Sequence, residues 1–129
     1  MKLSVSMITY NHEKYIAEAI ESIMSQQVDF DFELVIGEDY SKDRTKEIVL
    51  SYCDKYPGKI RLIDRGKNVG STKNFFDTIL QCKGEYIAMM DGDDLMLPGK
   101  LQKQVEFLDN HKDCSMVAHS LIEFEDETK

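Results

Sequence analysis

Three shortages frame this sequence: cysteine, positive charge and long apolar runs. The three cysteines, Cys53, Cys82 and Cys114, are odd in number and widely spaced. This excludes a disulfide framework and the clustered ligands of a zinc site, so free buried thiols in a reducing cytosol are expected. Lysine and arginine total 16 against 24 aspartates and glutamates, a formal charge of −8, with Glu123, Glu125, Asp126 and Glu127 crowded together. A chain this acidic lacks the basic face of a nucleic-acid binder and the polybasic patch that docks on anionic lipid. Nowhere do the ~18 consecutive apolar residues of a membrane span occur. The start, Met1-Lys2-Leu3-Ser4-Val5, alternates polar and apolar residues and is no signal peptide. The expectation is a soluble, cytoplasmic chain, with any peripheral attachment to the inner membrane left to regions outside it. An acidic protein that handles a phosphorylated ligand needs a metal ion or a few well-placed basic groups to offset repulsion.

What is present is an ordinary globular composition, 42% apolar and 31% charged, over a length that suits one domain. Leu3 to Thr9 is rich in strand formers. Asn11 can then cap a helix with Glu13 in its first turn and Ile16, Ile20, Ile23 and Met24 on its buried stripe. Phe32 to Gly37 predicts a second strand ending in Glu38-Asp39, and Ser41 or Asp43 caps a helix carrying Ile48, Val49, Tyr52 and Tyr56 that stops at Pro57-Gly58. Lys59 to Asp64 is a third strand. Asn68-Val69-Gly70-Ser71 leads into a helix with Phe75, Phe76, Ile79 and Leu80, closed by Gly84. Glu85 to Met90 is a fourth strand. Pro98 suits the first turn of a helix marked by Leu101, Val105 and Leu108, and Cys114 to Glu123 is a fifth strand. Such alternation predicts an α/β fold: a mostly parallel, Rossmann-like sheet with helices on both faces.

In sheets of this kind ligands bind at the carboxyl ends of the strands. Tyr10-Asn11, Glu38-Asp39, Asn68 with Gly70, and Asp91-Gly92-Asp93-Asp94 all fall on that edge. The last group carries the strongest chemistry. Carboxylate oxygens are hard ligands suited to Mg²⁺, Mn²⁺ or Ca²⁺, and an Asp-x-Asp spacing lets two side chains reach one ion. A solvated acidic turn accounts for the same residues taken alone. An EF-hand does not, because Leu95 and Gln102 stand where that loop needs acidic ligands. A receiver-like signalling domain would place its acidic pair after the first strand, where this chain has Tyr10-Asn11.

Val5-Ser6-Met7-Ile8-Thr9-Tyr10-Asn11, Glu38-Asp39-Tyr40-Ser41-Lys42-Asp43, Asn68-Val69-Gly70 and Asp91-Gly92-Asp93-Asp94 together resemble the family 2 glycosyltransferases of GT-A fold. The likeness covers nearly the whole chain in the family's order. It implies binding of a nucleotide-diphospho-sugar, often a UDP-sugar, through a divalent cation, Mn²⁺ or Mg²⁺. Asp39 matches the acid that hydrogen-bonds the base, with Glu38 where many members have aspartate. Tyr10 matches the aromatic beside the nucleotide, with Glu13 near the same pocket. Asn68, Gly70 and Lys73 stand where helix N–H groups and a positive charge could face phosphate oxygens. Asp91 matches the residue at the ribose or a metal-bound water, Asp93 the cation ligand, and Asp94 is their neighbour.

The resemblance also implies something missing. An inverting transferase needs a general base to deprotonate the acceptor hydroxyl, and in the family that acid lies well downstream. Here the sequence stops at Lys129, and His119 is the other candidate near the sheet edge. The expectation is a donor-binding half, residues 1–129, of a longer enzyme that transfers sugar to a saccharide or lipid-linked acceptor in polysaccharide biosynthesis. The competing expectation is a non-catalytic nucleotide- or metal-binding module of the same fold.

Overall fold

The computed structural model describes residues 1–112 of the chain. Four strands and four helices alternate: β1 (Leu3–Thr9), α1 (Ile16–Met24), β2 (Phe32–Glu38), α2 (Thr45–Lys55), β3 (Ile60–Ile63), α3 (Ser71–Leu80), β4 (Tyr86–Asp91) and α4 (Lys100–Asn110). The strands form one parallel sheet in the order β3-β2-β1-β4. The expected α/β class and four of the strands are as read from the sequence, with boundaries shifted by a residue. The fifth strand over Cys114–Glu123, and His119 within it, lie outside the described residues.

The two faces of the sheet differ. Leu3, Val5 and Met7 of β1 share one face with Leu34 and Ile36 of β2, and this face packs with Ile16, Ile20 and Ile23 of α1, Val49 of α2, and Leu101 and Val105 of α4. Each such fully buried aliphatic side chain stabilises the fold by roughly 1.5–3 kcal/mol. The opposite face carries Ser4, Ser6 and Glu33 and is crossed by α3. There α3 presents polar groups inward: Asn74 Nδ2 donates to the Gly37 carbonyl at 2.8 Å, and Thr78 is fully buried. Gly37 has to be glycine, because a Cβ there would run into the Thr78 hydroxyl.

Several local expectations are corrected. The apolar residues of α3 do not mark its inner face: Phe76 is 58% and Leu80 79% exposed, because Asn74 and Thr78 meet the sheet instead. Asn11 does not cap α1, which starts at Ile16 without a side-chain cap. It adopts φ 56° and accepts a hydrogen bond from the Lys42 N–H, so it ties two loops together. Pro98 precedes the α4 helix rather than sitting in its first turn, since Gly99, at φ 83°, is the N-cap. Gly84 does not close α3, which ends at Leu80. Asp43 does serve the start of α2, its Oδ1 accepting from the Thr45 N–H at 2.9 Å. Cys53 and Cys82 are free and half-buried, and burial raises both thiol pKa values.

Candidate functional site

Chain order places the site. From the central β1 the chain moves outward through β2 and β3, then crosses to β4 on the other side of β1. That reversal leaves a crevice at the carboxyl ends of β1 and β4, the position where open parallel sheets hold ligands. A cleft of about 370 Å³ lies there, lined by Ile8, Thr9, Tyr10, His12, Asp39, Asn68, Gly70, Ser71, Asn74 and Asp91. The structure therefore brings Tyr10, Asp39, Asn68 and Asp91 to one cavity. No membrane-length apolar helix occurs among the described residues.

Asp39 is 3% exposed and almost fully engaged. Its Oδ1 accepts from the Val69 N–H at 2.8 Å, and Oδ2 accepts from the Gly70 N–H at 3.0 Å and Asn68 Nδ2 at 3.2 Å. The carboxylate thus organises the β3–α3 loop around itself. The Gly70 N–H at the start of α3, in the stretch the sequence suggested for phosphate, already serves this acid, as does that of its neighbour Val69. Glu38 behaves alike, accepting from the Tyr40 and Ser41 N–H groups and holding Tyr40 at φ 59°.

Glu13 and Lys73 do not line the cleft. Glu13 accepts from the Arg44 N–H at 3.1 Å while its own N–H donates to Asp43 Oδ2, a reciprocal tie between the β1–α1 and β2–α2 loops. Lys73 pairs with Asp77 one turn along α3, at 3.0 Å.

The acidic end is organised differently. Asp91 is the last residue of β4, paired in register with Ile8, and the Gly92 N–H donates to the Ile8 carbonyl at 2.9 Å. Oxygens of Asp91, Asp93 and Asp94 come within 4.8 Å of one another. Desolvation of its carboxyl, followed by the charges of Asp94 and Asp93, raises the Asp91 pKa from its ordinary value, while His12 opposes the rise. Among the described residues no lysine or arginine forms an ion pair with the three acids; His12 Nε2, 3.9 Å from Asp93 Oδ2, is the basic group beside them. A converging set of hard oxygen donors that repel one another fits a divalent cation well. Gly92 permits the close approach of the turn to β1, because a Cβ there would stand 2.5 Å from Thr9 Oγ1 and 2.7 Å from Thr9 Cβ.

Sequence reasoning missed Thr9, His12, Ser71 and Asn74. For Thr9 and His12 a signal existed, since both stand at the end of β1 beside Tyr10. Asn74 gave none, as a helical asparagine shows nothing of the backbone carbonyl it meets 37 residues away.

Comparison with known proteins agrees with this geometry. A protein of Mycobacterium tuberculosis is 38% identical over 98% of the chain and 37% of its own length. The putative glycosyltransferase EpsE of Bacillus subtilis is 38% identical over 97% of the chain and 45% of its own length. The structure of Staphylococcus aureus TarS 1–349 in complex with UDP superposes with a TM-score of 0.76 at 34% identity, covering 87% of this chain and 33% of that one. The chain thus spans less than half the length of these relatives. The family model for glycosyl transferase family 2 matches residues 4–128. Fold, strand-end motifs and sequence likeness agree, and the chain belongs to glycosyl transferase family 2, with the Rossmann-like sheet of its GT-A members.

Proposed function

We propose that this chain is the donor-binding part of an inverting glycosyltransferase that holds a nucleotide-diphospho-sugar, a UDP-sugar, through a divalent cation. The sugar passes to a saccharide or lipid-linked acceptor in polysaccharide synthesis, and the general base and acceptor site come from regions outside the described residues. The observation that carries this reading is one cleft lined by a carboxylate held by backbone donors at Asp39 and by Asp91, which belongs to a donor-poor cluster with Asp93 and Asp94. TarS, the relative with UDP in its structure, has also been solved with UDP-GlcNAc, which supports a uridine nucleotide.

Each residue has a chemical task. Asp39 Oδ1 accepts one hydrogen bond, from the Val69 N–H, and retains a lone pair for the uracil N3–H, a donor that is costly to bury unpaired. Tyr10, 38% exposed at the cleft rim, supplies an aromatic surface for the base. Asn68 closes the same end, and Asp91 reaches the ribose or a cation-bound water. Asp93, with Asp91 and Asp94 beside it, would ligate the cation. A divalent ion, when bound, neutralises the charge that develops on the diphosphate as the anomeric carbon–oxygen bond breaks.

Calorimetric titration of UDP with and without Mn²⁺ tests the reading. Mn²⁺-dependent binding is expected in the wild-type chain and is lost in Asp93→Ala, with the melting curve unchanged. Equal UDP affinity with and without Mn²⁺ in both forms would remove the cation, and absence of any UDP binding would remove the nucleotide.

A further inference from the structure

The cleft contains one histidine among its lining residues, and the function proposed above gives it no task. His12 follows Tyr10 in the β1–α1 loop and lines the cleft together with Asp91. Its backbone N–H donates to Thr45 Oγ1 at 2.8 Å, and ring Nδ1 lies 2.9 Å from Thr9 Oγ1. These two ties aim the other ring nitrogen, Nε2, toward Asp93 Oδ2 at 3.9 Å.

That separation is too long for a hydrogen bond. It falls within the span of two atoms that share one first-row ion, since bonds of about 2.1 Å allow up to about 4.2 Å across the ion. With the ring proton on Nδ1 and donated to Thr9 Oγ1, Nε2 presents a bare lone pair. Metal-bound histidines are usually oriented in this way, by a hydrogen bond from the second ring nitrogen to a nearby oxygen.

We propose that His12 Nε2 ligates the same cation as Asp93 and biases the site toward first-row transition ions such as Mn²⁺ and Co²⁺ over Mg²⁺ and Ca²⁺. A nitrogen donor gains most with the later first-row ions and only modestly with Mn²⁺, the lowest of the series, whereas the alkaline-earth ions favour sets made of oxygen alone. This rests on the cation reading above and adds one nitrogen donor to it. His12 stands on the Asp93 side of the carboxylate triad.

The test is pulsed EPR of the full chain loaded with Mn²⁺ in the presence of UDP. Nitrogen-14 modulation from a coordinated imidazole is expected in the wild-type protein and absent in His12→Ala. Calorimetry should show the Mn²⁺-to-Mg²⁺ affinity ratio falling about tenfold in His12→Ala, with His12→Gln as a second variant that keeps a polar side chain in the loop. Mn²⁺ that binds through Asp93 (and is lost in Asp93→Ala) but shows no nitrogen coupling would overturn the histidine assignment and leave the cation reading intact. An unchanged affinity ratio in both histidine variants would do the same. No Mn²⁺ binding at all would overturn both.

Discussion

Asp39 and Asp91 stand at the ends of β2 and β4, the two neighbours of β1, and both line the cleft. Their surroundings are opposite. Asp39 is buried and accepts two backbone N–H groups and an amide, whereas Asp91 is pressed against Asp93 and Asp94 with His12 as the basic group nearby. An identical side chain is thus a structural anchor at one end of the cavity and an under-satisfied acceptor at the other. What decides the difference is the supply of hydrogen-bond donors, which the fold provides at the β3–α3 loop and withholds at the β4 turn.

Substitutions can break this contrast, and the largest effect on stability belongs to the anchor. Asp39→Ala leaves the part-buried Val69 and Gly70 N–H groups without their acceptor and should destabilise the chain by about 2 kcal/mol, read from urea unfolding. An unchanged midpoint would show that the loop holds itself. Next is Gly92→Ala, whose methyl would sit within 2.7 Å of two Thr9 atoms. A cost of about 1–2 kcal/mol is expected from such overpacking, again from urea midpoints, together with weaker Mn²⁺ binding as the turn is pushed off β1.

The smallest effect is electrostatic and opposite in sign. In the metal-free chain, Asp91 binds its proton more tightly when folded than when unfolded. Its contribution therefore favours the fold at low pH and is withdrawn as pH rises from about 3.9 through the raised folded value. Asp91→Asn should recover that loss, by about 0.5 kcal/mol or less after solvent screening. Asp109 works in the other direction, held at about 2 first by Lys2, then by Tyr86 and Lys112. Its share of stability is present above about 3.9 and disappears as pH falls through about 2. Unfolding curves at a series of pH values for wild type and Asp91→Asn separate the two.

Much of this was legible because parallel strands and amphipathic helices write their periods plainly, as Leu3–Thr9 and the Ile16-Ile20-Ile23 stripe do. The strand-end acids were legible in position but not in role. Asp39 finds its partners 29 to 31 residues later, and no local pattern announces that. Asn11 failed as a helix cap for the same reason, its side chain being claimed by Lys42 across the loop. On α3 the spacing of Phe76 and Leu80 suggested an inner face, but hydrogen bonds from Asn74 to β2 turned the helix the other way.

The central position of β1 has a consequence for how the chain is made. Its β2 partner emerges soon after it, but its β4 partner comes some eighty residues later, where Lys83 and Gly84 close on Ser4. At ribosomal rates the gap between finishing β2 and finishing β4 lasts on the order of several seconds. Throughout that interval one side of the first strand is an unpaired edge, open to wrong partners. The nascent protein therefore passes through a window of vulnerability that lasts until β4 has been synthesised, so the segment that brings the acidic turn to the proposed ligand cleft is also the one that covers the open side of β1.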